Sequence, residues 1–239
     1  MKTLKFLVAL GILLTGACHK ETILNITPVD FLSDAHYRKL VVEVQYPQGY
    51  QPTAETVDRL RAFLEARLNK PDGISIELSS IPLPRKDYYT VSDIKNIEDK
   101  YSKERTHRHT LAAYIFFADG AYAGNDGNSQ VLGMAYRSTS IAIFEKTVRD
   151  FSGGLTQPAT SLLEETVTQH EFGHLMGLVN NGTGMLTDHQ DEPNGKHCDD
   201  QHCLMYFNVE TSDVIANLTG SVPELDVRCL EDLRANGGK

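Results

Sequence analysis

Two histidines four residues apart, with a glutamate beside the first, stand at His170-Glu171-Phe172-Gly173-His174. On a helix that spacing stacks both imidazoles on one face, one turn apart. Neutral imidazoles so placed are two of the protein ligands a zinc ion takes. The carboxylate between them is positioned to take a proton from attacking water and hand it to a leaving amine. Glu171 cannot readily bind the same ion, so a third ligand must return from elsewhere in the chain. Gly177, three residues past His174, lets the helix end and the chain reverse. Cys203-Leu204-Met205-Tyr206 follows much later. The pattern implies a zinc-dependent hydrolase of peptide bonds. Its bland counterpart, two core histidines on an amphipathic helix, leaves the glycines and the glutamate unexplained.

The elements that must position these residues are legible in outline. Ser161-Leu162-Leu163-Glu164 reads as a capping box opening the helix, and Leu163, Val167, His170, His174 and Leu178 recur on one face. Residues 40–46 are β-branched and read as a strand. Val57, Leu60, Leu64 and Leu68 share a helical face, and residues 74–78 alternate like a strand. This β-α-β opening implies parallel neighbours. Residues 91–105 are charged and suit an exposed helix, whereas the apolar run 111–118 suits a central strand buried on both faces. Two more strands are expected at 131–137 and 140–144, and a last short helix at 225–235.

The chain has 239 residues and a formal net charge of −9, which argues against nucleic acid and anionic lipid as electrostatic partners. Lys2 and Lys5 precede an apolar run over 6–14 and then Thr15-Gly16-Ala17-Cys18. This is a secretory signal, too short to persist as a membrane span. The small residues before Cys18 resemble a bacterial lipobox, with Thr15 where leucine is usual. Removal of residues 1–17 makes Cys18 the first mature residue and the site of a lipid anchor; an ordinary signal peptide is the alternative. The expectation is a monomer at the bacterial cell envelope, anchored to the outer membrane, with 18–37 as a tether and 38–239 as the catalytic domain. Three cysteines follow, Cys198, Cys203 and Cys229, and an odd number leaves one unpaired. A Cys198–Cys203 disulfide is expected in an exported protein, with Cys229 as the rival partner.

His170 through Gly177 resembles the HExxHxxG signature of the metzincin metallopeptidases, and the segment around Met205 resembles their methionine turn in its matrixin-like form. Metzincins place a third ligand three residues after the glycine, where this chain has Asn180, a poor zinc ligand. In matrixins and archaemetzincins the methionine lies eight residues after the third histidine, and that register points to His197. His189 and Asn180 stay open as alternatives. Residues 179–196 then form an insertion. The resemblance implies an α+β domain with a twisted, mostly parallel five-stranded sheet, an antiparallel edge strand, an active-site helix, a methionine turn and a C-terminal helix. It implies Glu171 as the catalytic base, one catalytic zinc on His170, His174 and His197, and Met205 as apolar support beneath the ion. Tyr206 is read either as a donor to an oxyanion or as a packing residue. Residues 133–137 are the candidate edge strand, to which a peptide or protein substrate adds as another strand. Archaemetzincins hold a second zinc with four cysteines; a fourth is missing here, so a disulfide is expected instead. Two other functions stay in play: a binding lipoprotein that keeps the fold without turnover, and a zinc amidase acting on cell-wall peptides.

Overall fold

The computed structural model describes residues 25–127, 129–216, 218 and 220–239. The signal peptide and Cys18 lie outside the described residues. None of the described helices is long and apolar enough to cross a membrane.

Seven strands and six α-helices follow one another in the described chain. The main sheet contains β1 (Lys39–Pro47), β2 (Ile74–Ile81), β4 (Thr110–Phe117), β6 (Gly133–Arg137) and β7 (Ser140–Ile143), in the order β2-β1-β4-β7-β6. All neighbours are parallel except β6, which runs antiparallel to β7 at the edge. β1 and β4 sit in the middle, and the apolar residues Leu40, Val42, Val44, Leu111, Ile115 and Phe116 are all buried. Strands covered on both faces need such near-continuous apolar runs. A second sheet of two short parallel strands, β3 (Tyr88–Tyr89) and β5 (Ala121–Tyr122), is too short to leave a sequence signal.

The helices are α1 (Pro28–Leu32), α2 (Ala54–Arg67), α3 (Val91–Tyr101), α4 (Glu145–Asp150), α5 (Thr160–Leu175) and α6 (Val227–Ala235). α5 carries the histidines through the core; eleven of its residues are buried, from Leu163 to Leu175. α1 corrects the expected boundary at residue 38. Phe31 and Leu32 are fully buried, and Phe31 meets Phe172 of α5 edge-to-face at 6.4 Å. The buried ammonium of Lys70 donates to the carbonyls of Asp30, Ser33 and Tyr37. The end of the segment read as a tether therefore packs as a buttress against the histidine-bearing helix α5.

The expected capping box is also corrected. α5 starts at Thr160, and its N-cap, Ala159, makes no side-chain capping bond. Glu164 turns into the core instead, where its Oε2 accepts from Thr53 N (2.8 Å), Thr53 Oγ1 (2.8 Å) and Thr56 Oγ1 (2.7 Å) at the start of α2. One buried carboxylate thus ties the first turn of α2 to α5, at the helix end that favours negative charge.

Glu145, fully buried on α4 and paired with Arg149, lies beside Glu164. Its pKa is pushed up to about 9 by burial and by Glu164. Glu145 Oε2 and Glu164 Oε1 are both buried without a partner, so a proton held between them satisfies both oxygens. At neutral pH the folded state then binds a proton that the unfolded chain does not, and stability must fall as pH rises. Urea midpoints are expected to decline between pH 5 and pH 9, and Glu145→Gln is expected to flatten that slope.

Candidate metal centres

Both helical histidines point to one place because α5 is regular across residues 170–174. Their ring centroids lie 4.8 Å apart. The third ring comes from the return of the insertion. After α5 the chain turns through Gly177, Val179 and Asn180, with φ of 77°, 54° and 58°. At Gly177 a side chain would lie 2.6 Å from Pro28 Cβ, which packs α1 against this turn. The loop is closed by Asp191 N to His197 O (2.8 Å) and by Cys198 N to Met205 O (2.7 Å). His197 is thereby brought to centroid distances of 5.3 Å from His170 and 5.0 Å from His174.

The tautomers follow from the backbone. His170 Nδ1 lies 2.7 Å from Leu204 O, and His197 Nδ1 lies 2.6 Å from Asn194 O. A carbonyl only accepts, so each Nδ1 carries the proton and each Nε2 presents a bare lone pair. Both Nε2 atoms are buried without a hydrogen-bond partner. Burial and the two neighbouring rings push the pKa of His170 well below its ordinary value, and burial and His197 take that of His174 down to about 3. These rings are neutral at pH 7, the form that ligates metal. For His197 burial acts in the same direction, but Glu210 and the Asn194 carbonyl outweigh it and raise the pKa.

Two carboxylates share the centre. Glu171 is fully buried, both of its oxygens lack partners, and burial followed by Glu210 holds its pKa well above the ordinary value. Glu210 closes a short 3-10 turn, Phe207–Glu210, and nothing in the local sequence spacing marks it. One ligand atom each from His170, His174, His197 and Glu210 lies within 4.8 Å of the others. Met205 lies beneath. It is fully buried, and a Cβ added at Gly173 would come within 2.2 Å of its sulfur, so glycine in the helix is what lets Met205 pack against this turn. On the other side, a Cβ at Gly133 would meet Glu171 Cγ and Oε1 at 2.9 Å each. The edge strand β6 is pressed directly on the glutamate.

Asn180 and His189 are not in this centre. Asn180 is exposed and donates to Gln190 (3.0 Å). His189 lies in a second cluster, on the far side of the residue 197–198 link. Its Nδ1 is 3.4 Å from Cys198 Sγ and 3.9 Å from Cys229 Sγ, and Cys203 Sγ is 3.7 Å from Cys229 Sγ. This corrects the expected disulfide: Cys198, Cys203 and Cys229 are all free and buried. Sulfur ligands of one tetrahedral zinc, each at about 2.3 Å, stand ~3.8 Å apart. His189 Nε2 donates to Asp232 (2.9 Å), which leaves Nδ1 bare toward the thiols, in the carboxylate–histidine arrangement that supports metal ligands. Asp226 also approaches, with Oδ2 3.6 Å from Cys198 Sγ. Its oxygens are already committed, however, to the Cys229 N–H that it caps (2.7 Å) and to Arg228 (3.0 Å). The group whose ligand atoms all lie within 4.8 Å of one another is nevertheless His189, Cys198, Asp226 and Cys229, with Cys203 Sγ beside it at 3.7 Å from Cys229 Sγ, and such imidazole and sulfur donors suit a closed zinc site.

No family model matches the sequence, and no curated protein matches it significantly. The fold, by contrast, has neighbours among solved structures. The archaemetzincin of Methanopyrus kandleri superposes with a TM-score of 0.53 at 18% identity, over 84% of this chain and 95% of that one. A zinc-dependent peptidase of Methanocorpusculum labreanum gives 0.48 at 14% identity, over 80% of this chain and 99% of that one. Metalloproteinase-II of Bacteroides fragilis gives 0.44 at 14% identity, over 84% of this chain and 54% of that one. The chain therefore has a mixed α/β fold with a mostly parallel sheet, similar to that of the archaemetzincin.

Protein purified without chelator is expected to contain two zinc ions per chain by elemental analysis. His189→Ala and Cys229→Ser should each remove one ion and lower the melting temperature. His174→Ala should remove the other ion and leave the thiols protected from thiol reagents.

Proposed function

We propose that the chain is a zinc-dependent endopeptidase, with His170, His174 and His197 holding the catalytic ion and Glu171 as general base. A structural zinc in the cluster of His189, Cys198, Asp226 and Cys229, with Cys203 beside it, completes this reading. The observation that carries it is the convergence of three imidazoles whose buried Nε2 or neutral state suits a cation, beside a buried glutamate with no other partner. Zinc in such a site polarises a carbonyl and brings the pKa of water to about 7.

The protein residues supply the rest. Glu171, held in place by the close approach of Gly133, takes the proton from water and passes it to the departing amine. Among the described residues β7 alone pairs with β6, so its other edge is free to offer main-chain groups to an extended peptide. A cleft of about 340 Å³ lies between this strand and the active-site helix, bounded by Pro28, Ala135, Tyr136, Arg137, His174 and Asn181. An open groove with a free strand edge accepts the middle of a chain, which favours internal cleavage. The N-terminal sequence supports export and a lipid anchor on Cys18, so the substrates would be proteins or peptides at the cell envelope, met by a monomer.

Glu171→Gln is expected to keep both zinc ions and lose about 10²–10⁴-fold in kcat on casein or peptide libraries. Full activity in that variant would exclude the mechanism. Gly133→Ala is expected to displace Glu171 and lower kcat with unchanged zinc content, a split that elemental analysis and peptide turnover read together.

A further inference from the structure

We infer that Glu210 is a fourth protein ligand of the catalytic ion, so that the resting centre is closed and Glu210 must swing out before the site can work. The inference rests on the assignment of His170, His174 and His197 as ligands. Glu210 Oε2 lies 3.6 Å from His197 Nε2. That is long for a hydrogen bond between N–H and carboxylate. It matches instead the ~3.4 Å that separates two ligands, each about 2.0–2.1 Å from one tetrahedral zinc. A carboxylate oxygen of Glu210 also lies within 4.8 Å of ligand atoms of His170 and His174. Among the described residues, the only ion-pair partner of Glu210 is His197.

Its position is built rather than incidental. Glu210 O accepts from Leu132 N (2.8 Å), Ser212 N donates to Gln130 O (2.8 Å), and Val131 bridges Thr211. The turn bearing Glu210 is thus stitched to the residues just before β6, the edge on which a substrate would lie. Val209 beside it is buried in the core. The backbone is fixed, so only the side chain is free to move. Here the two carboxylates differ. Glu171 is fully enclosed, whereas the side chain of Glu210 is 34% exposed and has solvent to move into. A catalytic zinc needs one corner without a protein ligand, and a site with four protein ligands is of the structural kind. Rotation of Glu210 toward solvent converts one into the other with no change in fold. A peptide binding along β6 passes this turn, which places the opening under the control of substrate.

The test uses the full mature chain with cobalt(II) at the catalytic centre. Cobalt affinity is measured by chelator competition, the visible spectrum reports coordination, and acetohydroxamate titration reports the vacancy. For Glu210→Ala, and for the isosteric Glu210→Gln, cobalt affinity is expected to fall by at least about tenfold. The spectrum should change, and acetohydroxamate should bind at least tenfold more tightly. Unchanged affinity, spectrum and acetohydroxamate binding in both variants would overturn the inference. His174→Ala run in parallel must lose cobalt; if it does not, the assignment of the centre itself fails, which is a separate result.

Discussion

The constraint on which the rest of the structure depends is a pair of buried lone pairs. Backbone carbonyls at Leu204 and Asn194 fix the protons of His170 and His197 on Nδ1, and so force each Nε2 to face the interior with nothing to accept from. An unpartnered buried polar atom costs roughly 1–3 kcal/mol, and a fold does not collect several at one point without return. A cation among them turns that cost into binding energy. The carbonyls hold the rings in this orientation whether or not an ion is bound, so the site is preorganised.

The two clusters are mechanically one device. Adjacent residues, His197 and Cys198, belong to different centres, and Cys203 and Met205 again divide between them. Cys203 Sγ accepts the N–H groups of Met205 and Asp226 at 3.4 Å each. A metal held in the second cluster would therefore fix the loop that delivers the third imidazole and the methionine under the helix. The small extracellular-style alternative, a disulfide, would join only two points of that loop; a metal joins four.

Much of the fold was legible because its signals are local. The apolar runs at β1 and β4, the alternation at β2 and the histidine spacing in α5 follow directly from period and burial. What escaped the sequence depends on long-range packing. Glu164 sits at a capping-box spacing from Ser161, but it is drawn 111 residues away to Thr53, since a buried carboxylate gains more from three donors than from a helix end already near solvent. The short helix over 28–32 does carry a local signal, Pro28 in its first turn and Asp30 accepting from Thr27, but its packing on Phe172 depends on contacts far along the chain. Nothing in its spacing ties His189 to the cysteines, so in the sequence it reads as an alternative third ligand of the first centre, whereas the fold places it with Cys198 and Cys229. Glu210 carried none at all, because its approach to the metal centre is set by pairing between residues 210–212 and 130–132.

The most direct measurement is a crystal structure of the mature chain with anomalous diffraction recorded at the zinc edge. The account predicts one anomalous peak about 2.0–2.1 Å from a ring nitrogen of each of His170, His174 and His197. Coordinates in which those three rings turn apart, or in which zinc is bound elsewhere and not between them, would contradict it.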